Sequence, residues 1–486
     1  MAFDMGFWNN FIDKTEENHR KIFDVDIVDL AKKYGTPTYV LFEKIIEENY
    51  KNYNESLKDQ YTDYLICYAV KANPSIYLLN LLAELGSGAD VASEYELRLA
   101  LDAKIPNEKI RANGNCKSEA YLEECIKKGI IINVDPEDEL NIINDISENL
   151  GKNAIINIRL SGFPIKNITS RAMSTSTNWS KFGMDYKRAD IAFQKLFEMD
   201  YLDLNGLMVH IGSQITNISS YYTVLSILIK LCKDAEKLGL DIPEIDIGGG
   251  LGIQYFESND WKIIKEKIKN TREVNYTWAN EFIGYEYNSE LDNIEWIGEE
   301  LSCDYTPDTF IRKLLNGKYS EEKSFKEELI DIGTPRFVIE PGRSIIGNAC
   351  VKITKIGHVS KIPSGENIVH VDAGVNTYTT FGVAEQLHRI EIANFIVEGE
   401  EFETFVAGNL CFTGDLLGKI KNKLMRKPMR GDYLLFYDTG AYSDFFASNA
   451  NSFPRPAKVM VTKDGHCKLL VKREDFSEII KRETEI

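Results

Sequence analysis

Eight short apolar runs, each closed by a polar residue or a glycine, recur between residues 65 and 340 and alternate with amphipathic stretches of helical period. They are Leu65–Val70, Gly88–Val91, Ile110–Asn113, Ile130–Val134, Ala154–Leu160, Gly206–His210, Ile245–Gly248 and Phe337–Glu340. Runs that are apolar throughout read as parallel strands buried on both faces, with the intervening helices as crossovers. Eight such units predict an α/β chain built on a (β/α)8 barrel of the TIM type. In that architecture chemistry gathers at the C-terminal strand ends. Those ends carry Lys71, Asp90, Asn113-Gly114, Asp135, Arg159, His210, Gly248-Gly249-Gly250 and Glu340.

After Glu340 the texture changes to β-rich segments between Gly, Asn and Asp turns: Val351–Ile356, Asn367–Asp372, Glu401–Val406, Tyr433–Phe436 and Ala457–Val461. An all-β C-terminal domain, Greek-key or barrel-like, is expected over 344–486, following a barrel over 36–343. A contribution from residues 1–35 to that β domain is expected, and the Thr38–Phe42 run could join either. Residues 254–336 exceed what a crossover helix requires and hold Trp261, Trp278 and Trp296, so a folded insertion is expected there.

With 486 residues and 43% apolar content, the chain is long enough for two cores. A formal charge of -18 repels phosphate backbones and anionic lipid, which argues against nucleic acid and membrane surfaces as partners. No apolar run approaches a membrane span and the first twenty residues have no cleavable apolar core, so a cytoplasmic location is expected. The eight cysteines are scattered without a C-x-x-C pair, and the six histidines lack ligand spacing, so no metal is expected. Chemistry is left to an organic cofactor or to side chains alone.

Each strand-end motif has an ordinary reading and a chemical one. Lys71, between an apolar run and Asn73-Pro74, is a solvated loop lysine or a Schiff-base amine. The triple glycine is a tight turn or an anion cradle. His210 is a packed histidine or a working one; Glu340 is a barrel-end ion pair or a functional acid. Cys411 before a glycine turn is inert or reactive. Taken together, one amine, one phosphate cradle, one carboxylate and one flat group are what pyridoxal 5'-phosphate asks of a protein.

The motifs Tyr68-Ala69-Val70-Lys71-Ala72-Asn73, Gly86-Ser87-Gly88-Ala89-Asp90-Val91, Ser180-Lys181-Phe182-Gly183, His210-Ile211-Gly212-Ser213-Gln214, Gly248-Gly249-Gly250, Glu340-Pro341-Gly342-Arg343, Val371-Asp372-Ala373-Gly374, Cys411 with Gly414-Asp415, and Gly440-Ala441-Tyr442 resemble the fold-type III pyridoxal-phosphate decarboxylases. The diaminopimelate decarboxylase family is the most similar, from about Gly35 to the C-terminus outside much of 254–336. The resemblance implies that Lys71 forms the aldimine with the cofactor and that His210 stacks on its ring. Ser213, Gly248, Gly249, Gly250, Gly342, Arg343 and Tyr442 would hold the phosphate, Glu340 would pair with the pyridine nitrogen, and Asp90 and Arg159 would orient the aldimine. It further implies that Cys411 returns a proton after carbon dioxide leaves, and that this cysteine comes from the partner subunit of a homodimer with shared sites.

The pocket for the far end of the substrate departs from the family. A glutamate that follows the catalytic cysteine is Phe412 here, and an arginine-proline pair is Thr380-Phe381. Losing both removes about 1.5–3 kcal/mol of recognition for each charged hydrogen bond to a zwitterionic end. The substrate is therefore expected to be a lysine- or ornithine-type diamine acid, with D-lysine and D-ornithine as the candidates, and with Tyr378, Thr380, Phe412, Asp415 and Asp444 facing it. Alternatives are diaminopimelate itself, giving L-lysine; a specialised or carrier-bound amino acid; racemisation; and an inert regulatory homologue.

Overall fold

The computed structural model describes residues 5–165, 174–278, 285, 287–289, 293–294, 300–378, 386–397 and 399–484. The chain divides into two units. One comprises Glu47–Gly252 and Tyr305–Ile345; the other comprises Met1–Ile46, Ile253–Asp304 and Ile346–Ile486.

The first unit is the barrel. Its strands are β1 (Tyr64–Ala69), β2 (Gly88–Val91), β3 (Ile110–Ala112), β4 (Ile131–Val134), β5 (Ala154–Ser161), β6 (Leu202–Val209), β7 (Glu244–Asp246) and β8 (Arg336–Ile339). Each pairs in parallel with the next, β8 returns to β1, and the ring is closed. All eight overlap the apolar runs, because each is covered on one face by the barrel interior and on the other by helices. Local signals set the helix starts: Ser93, Ser118 and Asn217 each accept a hydrogen bond from a first-turn N–H, at Glu96, Tyr121 and Ser219. The helices Glu119–Lys128 and Glu139–Leu150 stop at left-handed Gly129 and Gly151.

The barrel interior is not wholly apolar. Arg111 on β3 and Glu244 on β7 are both fully buried and form a two-pronged ion pair, Nε to Oε1 at 2.8 Å and Nη2 to Oε2. Arg111 also donates through Nη1 to the Glu108 and Ile110 carbonyls. A bidentate fork with extra acceptors is the arrangement in which a buried pair offsets its desolvation.

The second unit is β-rich. Thr38–Phe42 runs between Cys350–Lys361, antiparallel, and Ala457–Val461, parallel, so the strand the sequence leaves open lies in the β unit. Outward from these run Asn367–Val371, Phe402–Ala407 and Asn422–Leu424 on one side and Cys467–Val471 on the other, while Tyr433–Phe436 and Ile390–Ile392 branch from Cys350–Lys361. The N-terminal residues join the same unit. Trp8, fully buried, donates from Nε1 to Asp438 Oδ1 at 2.8 Å, and Arg389 holds the other oxygen of Asp438 at 2.9 Å.

The long stretch before β8 is split. Helix Ser258–Lys269 buries Trp261, Ile264 and Ile268 in a cluster with Tyr276, Leu301, Leu387 and Ile420 of the β unit. Trp278 N donates to the Lys419 carbonyl, and Lys421 N to that of Tyr276. Helices Pro307–Leu315 and Phe325–Asp331 belong to the barrel unit and pack against its helix Ile218–Lys237. Trp296 lies outside the described residues, among which no helix is long and apolar enough to cross a membrane.

Removing one member of the barrel ion pair leaves its partner's charge buried. Glu244→Leu is expected to lower stability by about 3–5 kcal/mol in equilibrium urea unfolding, whereas the double change Arg111→Met with Glu244→Leu recovers most of that loss.

Candidate active site

The strand ends converge on one polar cluster. β1 delivers the chain into a single 3-10 turn, Val70–Ala72, which carries Lys71 at the mouth of the barrel. Its Nζ lies 2.5 Å from Asp90 Oδ2, at the end of β2. Asn113, one residue past β3, donates from Nδ2 to Asp90 Oδ1 at 2.7 Å and to Glu340 Oε1 at 3.0 Å. Glu340, one residue past β8, is buried, and its second oxygen, Oε2, has no hydrogen-bond partner among the described residues. Burial, followed by the neighbouring Asp246 and Asp90, raises the Glu340 carboxyl well above the usual range. Asp246 on β7 is pushed up to about 7, by burial first and then by Glu244.

His210, one residue past β6, keeps some solvent contact, yet its enclosure, then Lys71 and Arg159, drive its pKa well below the ordinary value. The ring is therefore neutral. Gly249 N donates to its Nδ1 at 3.2 Å, which places the ring proton on Nε2. Gly248 N is committed to Asp246 Oδ1 at 2.8 Å, so within the triple glycine the Gly250 N–H remains for a ligand. The glycines are required by space: a Cβ on Gly249 would stand 2.1 Å from the Glu340 carbonyl oxygen. Gly250, at φ +107°, would place one 2.5 Å from that of Gly212. Arg343 Nε and Nη2 both donate to Ser213 Oγ, at 3.2 and 3.0 Å. Gly342 packs against Ala69 and Ala72, beside the Lys71 turn.

Arg159 on β5 donates to Asp135 Oδ2 at 3.2 Å, and its guanidinium lies 4.5 Å from the Phe182 ring centre. Asp135 is held in turn: Oδ1 accepts from Gly183 N, and its own N–H donates to Glu139 Oε2. These contacts place the Ser180–Gly183 motif against the barrel mouth. Asn113 is expected from the sequence only as a strand end without an assigned role, and Asp246, inside the Ile245–Gly248 run, is not among the expected site residues.

The β unit carries the remaining expected residues. Cys411 is exposed, and its N–H donates to Asn451 Oδ1 at 2.7 Å. Phe412 is 46% exposed. Tyr442 has a left-handed backbone, φ 56°, a conformation that a non-glycine residue keeps only where its surroundings impose it. Three residues expected to face substrate are engaged within the unit. Asp415 accepts from Val375 N at 2.7 Å with one oxygen and from Leu410 N at 2.6 Å with the other. Asp444 is paired with Lys458 Nζ, both nearly buried. Tyr378 is buried edge-on against His388 and Phe436. Thr380 lies outside the described residues.

Residues 43–282 match the pyridoxal-dependent decarboxylase family, pyridoxal binding domain. Over 466 residues the chain is 31% identical to the diaminopimelate decarboxylase of Aquifex aeolicus, covering 95% of each. The chain belongs to the pyridoxal-dependent decarboxylases. It is also 30% identical to the diaminopimelate decarboxylase of Methanocaldococcus jannaschii, over 94% of this chain and 93% of that one. The crystal structure of the M. jannaschii enzyme in complex with L-lysine superposes with a TM-score of 0.81 at 28% identity, covering 98% of both chains.

A member of this family is a carboxy-lyase that uses pyridoxal 5'-phosphate to decarboxylate an amino acid. The barrel mouth fits that cofactor. It offers a primary amine, a cradle whose floor has no room for a Cβ, and a buried carboxyl oxygen without a partner.

Because Asp246 and Glu340 keep their protons in the folded chain at pH values where the unfolded chain has released them, their stabilising contribution is complete below about pH 4 and is lost as pH rises through the folded values. The cofactor-free protein should therefore lose stability between about pH 4.5 and pH 7. Asp246→Asn should flatten that slope by up to about 1.4 kcal/mol per pH unit, read from urea midpoints across the range.

Proposed function

We propose that Lys71 holds the cofactor through its amine, that Arg343, Ser213, the Gly250 N–H and Tyr442 bind its phosphate, and that Glu340 Oε2 meets its ring nitrogen. The observation that carries this reading is the unpartnered Glu340 Oε2 in the same hydrogen-bonded cluster as Lys71 Nζ. When bound, pyridoxal phosphate supplies the sink for the electrons released as the bond from Cα to the carboxylate breaks. Glu340, with its raised proton affinity, keeps a proton between Oε2 and the ring nitrogen. His210, neutral and pinned through Nδ1, lies against a protonated ring without repelling it. Asp90 holds Lys71, and Arg159, fixed by Asp135, keeps a cation beside the cluster. Cys411 Sγ gives Cα the proton that replaces the departing carbon dioxide.

For the substrate, the whole-length likeness to diaminopimelate decarboxylases supports diaminopimelate, which would make the product L-lysine. A second reading is favoured by the apolar Phe412 ring where the resemblance places an acid, and by the pairing of Asp444 with Lys458. That reading is an amino acid whose far end lacks the charges of diaminopimelate: a lysine- or ornithine-type acid, or a carrier-bound one. We further propose that the enzyme works as a cytoplasmic homodimer in which Cys411 serves the partner's Lys71, a reading supported by the thiol's exposure on the β unit.

Carbon dioxide release from meso-diaminopimelate and from the D and L forms of lysine and ornithine decides the substrate. Turnover confined to diaminopimelate supports the first reading, and turnover of a diamine acid at comparable kcat/KM supports the second. Mixing inactive Lys71→Ala and Cys411→Ala chains tests the shared site. Random exchange makes half of the dimers mixed, each with one complete site, so about a quarter of wild-type activity should return. No recovery under exchange conditions would exclude sharing.

A further inference from the structure

The Arg111–Glu244 pair and the Lys71 cluster are joined by a continuous line of side-chain amides inside the barrel. Glu244, ionised against Arg111, can only accept hydrogen bonds. Asn157 on β5 therefore turns Nδ2 toward it, 3.0 Å from Oε1, and the same nitrogen donates to Asn133 Oδ1 at 3.0 Å. Asn157 Oδ1 accepts from Asn205 at 2.8 Å, which leaves its amide no reason to reverse. With Oδ1 used as an acceptor, Asn133 on β4 donates from Nδ2 to Asn113 Oδ1 at 3.1 Å. Asn113 is then obliged to present both of its N–H groups to Asp90 and Glu340. The reversed amide would set a carbonyl oxygen against two carboxyl oxygens in a buried site.

We propose that Asn113 is a positioning residue for Glu340: it fixes Oε1, so that Oε2 is the oxygen presented to the cofactor nitrogen, and its own orientation is imposed from the far end of the barrel through Asn133 and Asn157. The inference rests on the assignment of Glu340 Oε2 to that nitrogen. Without Asn113, Glu340 is left among Asp246, Asp90, Lys71 and Arg159, the charged groups that act on it, and either oxygen can rotate toward Lys71. The ring nitrogen then loses a fixed acceptor and releases its proton at lower pH.

The test follows the visible absorption band of bound cofactor against pH in wild type, Asn113→Leu, Asn133→Leu and Glu340→Gln holoenzymes. Asn113→Leu should move the titration midpoint down by about one unit and lower kcat about tenfold, with KM changed less than about threefold. Asn133→Leu, which touches neither carboxyl group, should move the midpoint in the same direction by less, and it carries the test if Asn113→Leu does not accumulate as folded protein. If Glu340→Gln shifts the band while both asparagine variants titrate with wild type, the positioning role is overturned and the Glu340 assignment stands. A shift in Asn113→Leu alone overturns control from the far end of the barrel. If Glu340→Gln leaves the band unmoved, the assignment itself fails.

Discussion

Three carboxyl groups, Asp90, Asp246 and Glu340, are buried together at the C-terminal end of one barrel, and much of the interior below them serves to keep them there. Left alone, such a cluster would take up protons, swell with water or turn its side chains outward. Here Lys71 neutralises one acid, the Gly248 N–H meets one oxygen of a second, and Asn113 stands between the first and third. The outcome is selective. One oxygen of Glu340 accepts from Asn113 while the other, among the described residues, is left without a partner in a buried site, a setting that a ring N–H donor would complete.

The barrel was legible because its strands are buried on both faces, which writes them as predominantly apolar runs, and because a closed parallel barrel brings their ends to one place. Lys71, Asp90, His210, the triple glycine and Glu340 could be named from that geometry before any contact was known. What could not be read was pairing across distance. The Thr38–Phe42 run has the same local character whether it sits beside a barrel strand or, as found, between Cys350–Lys361 and Ala457–Val461. Asp444 looks like an open loop acid until Lys458 is found against it, and Asp415 looks like a substrate contact until Val375 and Leu410 are found on its two oxygens. Asn133 and Asn157 read simply as polar interruptions of strands, since an amide's orientation depends on neighbours from other strands.

The two ends of the barrel interior depend on different physics. At the far end a bidentate ion pair fixes the orientation of the amide that bonds to it. At the mouth Asp246 and Glu340 hold their protons above the usual carboxylate range, and their protonation remains adjustable. An interior filled only with aliphatic side chains would pack as well, but it would give the mouth no preferred direction for its hydrogen bonds.

Asp415 couples two loops of the β unit mechanically. Because one carboxylate clamps the N–H groups of both Val375 and Leu410, the segment that leads into Tyr378 and the segment that carries Cys411 are hinged on a single side chain. Divergence in this protein is therefore constrained in a particular way. A change that moves the first segment also pulls on the segment carrying the thiol, so substitutions around residues 375–378 should be accompanied by compensating ones around 410–415.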